Sequence, residues 1–204
     1  MELKNKDDIE TIKLMIIGDQ SVGKSSLITR YTEDSFNNNM ISTIGMDFKR
    51  KNLTLDNKEF KITIYDSAGN ERYTNITKHF YQGANGILLV YDASQISTFE
   101  SISKWMKTLE SVIKDKSIEL ILIGNKIDLE RTVSYEDGKN ISNKYNTIYL
   151  ETSAKTGVGV DKAFEILLKK IAGNLKLASA ETKEIIDVKK PDDKIKKQSK
   201  GCCF

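Results

Sequence analysis

Hydrophobic residues along the chain fall into short runs with two different spacings. Ile12-Lys13-Leu14-Met15-Ile16-Ile17, Gly86-Ile87-Leu88-Leu89-Val90-Tyr91, Ile118-Glu119-Leu120-Ile121-Leu122-Ile123 and Thr147-Ile148-Tyr149-Leu150 are apolar segments of strand length, as expected of strands covered on both faces. Met46 to Leu55 and Phe60 to Tyr65 read as two more strands, the second alternating almost strictly. Asp56-Asn57-Lys58 between them has turn composition, which predicts one antiparallel pair. Ser26 to Tyr31, Ser97 to Ile113, Ser134 to Tyr145 and Val160 to Ile171 suit helices; in the last, the apolar residues stand at 160, 163, 164, 167, 168 and 171. Thr32 to Thr43 is polar and asparagine-rich, has neither period, and is expected to be a mobile loop. The alternation of strand and helix predicts an α/β fold. Its core is a six-stranded, mostly parallel sheet with one antiparallel strand and helices on both faces. A chain of 204 residues holds one such domain. It is placed at residues 11–173, after a flexible N-terminus over 1–10.

In sheets of this kind ligands bind beyond the carboxyl ends of the strands, and the residues there are informative. Behind the first strand lies Gly18-Asp19-Gln20-Ser21-Val22-Gly23-Lys24-Ser25, which fits the G-x-x-x-x-G-K-[ST] phosphate-loop pattern between a strand and a helix. The glycines let successive backbone N–H groups face one point at a helix N-terminus, making a concave anion site. Lys24 sets a positive charge against the outer phosphates, and the Ser25 hydroxyl suits the oxygen-only shell of Mg2+. The domain is therefore expected to be a P-loop NTPase. After the fifth strand comes Asn125-Lys126-Ile127-Asp128. Its carboxylate is able to accept two parallel hydrogen bonds from guanine, whose donors adenine lacks, and such a site rejects the wrong base by roughly 10⁴-fold. The competing readings are a helix N-cap at Asp128 and an ATP-using enzyme in which Asp128 plays no part.

Charge and cysteine content narrow the setting. Thirty-two basic and 29 acidic residues leave a net charge of +3, and most acids and bases alternate, which gives no sign of a nucleic-acid partner. No apolar run approaches the roughly 18 residues that span a bilayer, and the N-terminus lacks a hydrophobic signal region, so a cytosolic protein is expected. From about Asn174 the apolar period fades into a lysine-rich segment, expected to be disordered over 174–204. Lys194, Lys196, Lys197 and Lys200 precede Gly201-Cys202-Cys203-Phe204, which holds the only two cysteines. A basic cluster beside a lipid is a two-signal membrane anchor; the other reading is two idle thiols. Glycine at 201 rules out a C-a-a-X box.

Together the phosphate loop, Thr43-Ile44-Gly45-Met46-Asp47-Phe48, Asp66-Ser67-Ala68-Gly69, Asn125-Lys126-Ile127-Asp128 and Ser153-Ala154-Lys155 resemble the motifs of a small GTPase of the Rab family, over residues 11 to 173. Glu71-Arg72-Tyr73, Phe80-Tyr81-Gln82-Gly83-Ala84 and the paired cysteines agree. The resemblance implies that GTP or GDP is held by Ser21, Val22, Gly23, Lys24, Ser25 and Ser26. Phe36 would pack on the guanine, Asn125, Lys126 and Asp128 would bind it, and Ser153, Ala154 and Lys155 would support it. It also implies Mg2+ bound by Ser25, Thr43 and, through water, Asp66. Thr43 and Gly69 would contact the γ-phosphate, so both loops would relax on hydrolysis. Further implications are Phe48, Tyr65 and Phe80 as an effector-binding aromatic triad, geranylgeranylation of Cys202 and Cys203, and a monomer. The lipid anchor would attach it to the cytoplasmic face of an intracellular or plasma membrane, cycling with the cytosol. Its implied partners are an exchange factor, a GTPase-activating protein, prenylation and membrane-extraction chaperones, and effectors of vesicle trafficking.

Three positions depart from the family pattern, of which Gln82, where an arginine is usual, carries no mechanistic consequence. Tyr65 stands where the triad usually has a tryptophan, and these aromatics could equally be packing residues. Asn70 stands where a glutamine usually orients the attacking water, beside Gly69, Lys24 and Thr43 in the catalytic set. Its carboxamide is drawn back by roughly 1.3 Å, and misplacement of that order costs about 100-fold. Slow intrinsic hydrolysis is expected, and the alternative is a GTP-binding scaffold with little or none.

Overall fold

The computed structural model of the protein describes residues 10–38, 43, 45–55, 57–67, 81, 83–113 and 118–188, with side chains to 175. The strands are β1 (Glu10–Ile17), β2 (Met46–Leu55), β3 (Lys58–Ser67), β4 (Gly86–Asp92), β5 (Glu119–Asn125) and β6 (Ile148–Glu151), and they form one sheet in the order β2-β3-β1-β4-β5-β6. Only β2 runs antiparallel, paired with β3 from Met46↔Ser67 to Leu55↔Lys58; the other neighbours are parallel. Five parallel strands and one antiparallel strand are the predicted arrangement.

The apolar runs become central strands because both of their faces are covered. Met15, Ile17, Ile87, Leu89 and Tyr91 share a core with Ile102, Met106 and Leu109, which lie on the helix Ile102–Val112. On the opposite face, a Cβ added at Gly86 would stand 2.7 Å from Ile171 Cδ1 and 3.1 Å from Leu14 Cδ2, so the helix bearing Ile171 lies against β1 and β4. That helix, Val160–Val188, is joined to Lys24–Glu33 by Tyr31 stacked on Phe164, with ring centroids 3.9 Å apart. Each fully buried Leu, Ile or Phe contributes about 1.5–3 kcal/mol. The sheet is thus held from both sides, and its carboxyl edge is left to loops.

In chain order the helices are α1 (Lys24–Glu33), α2 (Ile96–Glu100), α3 (Ile102–Val112), α4 (Tyr135–Lys144) and α5 (Val160–Val188). Three of these elements differ from the expectation. The single helix over Ser97 to Ile113 is two, because the Ser101 carbonyl accepts from both Lys104 N and Trp105 N, at 3.0 and 3.1 Å, and tightens the turn between them. Strand β3 continues to Ser67, so Asp66 lies within the strand, held in register opposite Asp47. The irregular chain expected from Asn174 is helical to Val188. Leucine, alanine, lysine and glutamate dominate Leu175 to Val188, with no glycine or proline, and these residues favour helix without an apolar stripe. The chain divides into two compact units, Met1–Ile171 and Ala172–Phe204. Cys202 and Cys203 lie outside the described residues.

Candidate functional site

The loop after β1 has a backbone that only glycine fits at two points. Gly18 has φ 137°, and a Cβ there would come 2.1 Å from the Val90 carbonyl oxygen; Gly23 has φ 96°, and a Cβ would come 2.5 Å from Asn125 Nδ2. Gly23 is the N-cap of α1, whose first turn has no side-chain cap and no acidic residue. The partial positive charge of that helix end, and N–H groups that a cap would otherwise take, are left for an anion. Lys24 is only 5% exposed. Its Nζ donates to the carbonyls of Gly18 and Asp19 at 3.0 and 2.7 Å. Burial lowers its pKa to about 8, against the opposing pull of the Asp66 and Asp19 charges.

Next to Lys24, three oxygen-bearing side chains from three segments converge. Ser25 Oγ lies 2.8 Å from Thr43 Oγ1. Asp66 Oδ2 accepts a hydrogen bond from Ser25 Oγ and another from Thr43 Oγ1 at 3.2 Å. Asp66 Oδ1 is buried with no hydrogen-bond partner among the described residues, an arrangement that is costly unless something else meets it. Burial pushes the Asp66 carboxyl up from its ordinary pKa, against the bonds from Ser25 and Thr43 and the charge of Lys24. Two hydroxyls and a carboxylate are the hard, oxygen-only donors that Mg2+ takes, so these residues fit that ion.

A cavity of about 370 Å³ opens here. Of the residues predicted to bind nucleotide, Ser21, Gly23, Lys24, Ser25, Ser26 and Phe36 line it from the first part of the chain, with Thr43. Asn125, Lys126, Asp128, Ala154 and Lys155 line it from the loops after β5 and β6. Asp128 is oriented by Ser153 Oγ, which donates to its Oδ1 at 2.6 Å, and Lys155 Nζ stands 3.9 Å from its Oδ2. Lys126 pairs with the buried Asp92 at 2.7 Å. Asn125 is fully buried and joins the two halves of the wall. Its Nδ2 donates to the Val22 carbonyl at 2.8 Å, and its Oδ1 accepts from Thr152 Oγ1 and Ala154 N.

A model of the Ras family matches residues 13–173. The chain is 41% identical over 170 residues to Ras-related protein Rab-18 of Lymnaea stagnalis, covering 83% of this chain and 84% of that one. It is 45% identical over 162 residues to GTP-binding protein ypt2 of Schizosaccharomyces pombe, covering 78% and 80%. To Ras-related protein Rab-13 of Rattus norvegicus it is 40% identical over 195 residues, covering 93% and 94%. The chain is a small GTPase of the Rab family.

Guanine-nucleotide binding follows from that membership, and the α/β domain is a P-loop GTPase domain. In this Rab GTPase Val22 and Ser153 are fully buried and act behind the cavity wall. Phe48 is 48% exposed, with its ring 6.0 Å from that of Tyr65 and the Arg50 guanidinium 4.9 Å from its centroid. Gly69, Asn70 and Phe80 lie outside the described residues. Motif reading missed Gln20, Asn37, Asn38, Ser67 and Leu129, which also line the cavity. It missed Arg30 as well, whose Nε and Nη2 donate to the carbonyls of Ala154 and Lys155, both at 2.9 Å. Arg30 sits on α1, 124 residues from Ala154, and nothing local marks it out from a surface arginine. Among the described residues no helix is long and apolar enough to cross a membrane.

Proposed function

We propose that this Rab GTPase is a membrane-recruited switch that binds GTP with Mg2+, hydrolyses it slowly, and recruits effectors of intracellular vesicle trafficking while GTP is bound. What supports this above all is one cavity wall that combines Lys24, the Ser25 and Thr43 hydroxyls and the Asp128 carboxylate, with Asp66 bonded to those two hydroxyls from behind. The loop from Ser21 to Ser26 cradles the phosphates through its backbone and Lys24. Asp128, set by Ser153, takes the N–H edge of guanine, and Phe36 covers the ring. Ser25 and Thr43 would ligate Mg2+ directly and Asp66 through water. Held there, Mg2+ would supply positive charge to offset that of the phosphates. Thr43 and Gly69 sense the γ-phosphate, so its loss releases both segments and with them the surface around Phe48, Tyr65 and Phe80.

Slow turnover rests on Asn70. Its shorter side chain places the water-orienting amide too far back, and the GTPase-activating partner supplies what is missing. Single-turnover phosphate release for the wild type and Asn70→Gln tests this, with the variant about 100-fold faster if the missing methylene is the cause; equal rates would refute it. Asn70 also favours a second reading, a GTP-binding scaffold, which a day-long incubation with excess activating protein would reveal by an absence of free phosphate. Exchange factors and membrane-extraction chaperones complete the cycle. Geranylgeranyl groups on Cys202 and Cys203, beside Lys194 to Lys200, supply the anchor. Intact-mass measurement on protein from its native cell checks the anchor, and unmodified cysteines would remove it.

A further inference from the structure

An acid in the phosphate loop needs an explanation. Asp19 is the second residue of that loop, and a carboxylate free to turn inward would repel the phosphates that Lys24 and the α1 terminus attract. Gln20, Ser21 and Gly23 line the cavity and Asp19 does not. Its Oδ1 accepts a hydrogen bond from Trp105 Nε1 at 2.7 Å, across 86 residues of sequence. Trp105 is the chain's only tryptophan, carried on α3, and its half-buried ring packs against the core beneath. An indole has a single N–H and accepts nothing, so a ring held by packing offers one donor in one direction. The carbonyl of the same Asp19 accepts from Lys24 Nζ at 2.7 Å. The tie from α3 therefore ends on the residue that also meets the site's main cation.

We propose that Trp105 is a positioning residue of the nucleotide site: its indole N–H holds the Asp19 carboxylate turned away from the phosphate cradle and braces the loop against α3. This rests on the reading of the cavity as the guanine-nucleotide site. Two effects combine in it. The bond fixes the loop's first turn before ligand arrives, which lowers the ordering cost of binding. It also keeps a negative charge out of a place where charge of that sign is adverse.

The test uses the full chain loaded with a fluorescent GDP, and follows its release after a chase with unlabelled GDP. Trp105→Phe should release GDP about tenfold faster than the wild type. Asp19→Asn placed in the Trp105→Phe background should recover the part of that loss that is due to charge, because no charge remains to stray inward, and leave the part due to the missing brace. Unchanged release from Trp105→Phe would overturn the proposal. So would a loss that Asp19→Asn does not reduce at all, since a straying charge would then be no part of it. A second measurement does not depend on the stability of Trp105→Phe. The indole N–H resonance of Trp105 should shift and lose exchange protection in Asp19→Ala, and a resonance left in place would overturn the hydrogen bond itself. A wild-type chain that holds no guanine nucleotide would overturn the site, and this role with it, and is told apart from the other outcomes because the fluorescent GDP then fails to load.

Discussion

Asp66 and Asp128 are both carboxylates beside one cavity, and their surroundings differ. Asp66 is 6% exposed, with one oxygen bonded to two hydroxyls and the other unmet among the described residues. The proposed Mg2+ would satisfy that arrangement. Asp66→Ala is expected to weaken Mg2+ about 10- to 100-fold. The check is nucleotide release with and without a chelator: the wild type should release markedly faster once the ion is stripped, and Asp66→Ala should show little change. Asp128 has Ser153 on one oxygen and Lys155 near the other, an orientation suited to accept from a ligand's N–H edge. Asp128→Ala removes two charge-assisted bonds and should lower GTP affinity by at least about 100-fold. The measurement is a competition titration against ATP, in which the preference for GTP should shrink in step.

Between elements, the cavity wall depends on side chains that tie separate loops together. Asn125 at the end of β5 holds the Val22 carbonyl ahead of α1 and the Ala154 N–H after β6. Asn125→Ala leaves both unmet in a buried setting and is expected to cost about 2–5 kcal/mol of folding stability; urea denaturation at fixed nucleotide and Mg2+ concentration measures it. Arg30 works from the other side, clamping the Ala154-Lys155 turn to α1. These ties explain which parts of the architecture were legible. Strands β1, β4 and β5 were readable because burial on both faces demands continuous apolar runs. The break at Ser101 was not, since it arises from a shared carbonyl and leaves no mark in the apolar period. The continuation of α5 to Val188 was missed because intrinsic helix preference extended the element beyond its apolar stripe.

Across the whole molecule, the buried tyrosines give stability a predictable dependence on pH. Burial pushes the phenols of Tyr31, Tyr81 and Tyr91 up to about 12, and Tyr149, bonded to Tyr91 at 2.7 Å, is raised as well. A phenol whose pKa rises on folding keeps its proton more firmly in the folded chain than in the unfolded one. Its contribution is complete below pH about 10 and is lost as pH climbs from there to about 12. Phenolate absorbance from these buried tyrosines should therefore appear in a step that coincides with loss of helical signal; their ionisation near pH 10 in a chain that stays folded would contradict this. By itself, the sequence determined the order of strands and helices, the single antiparallel pair and most of the residue types that line the cavity. Each of these follows from local period or from a motif of adjacent positions. Only the tertiary structure decided that Asn125 and Arg30 hold the wall, that Asp66 is left with an unmet oxygen, and that Trp105 reaches Asp19. Those contacts join residues 23 to 125 positions apart, and such a distance is closed by packing on the two faces of the sheet, which no local pattern of side chains encodes.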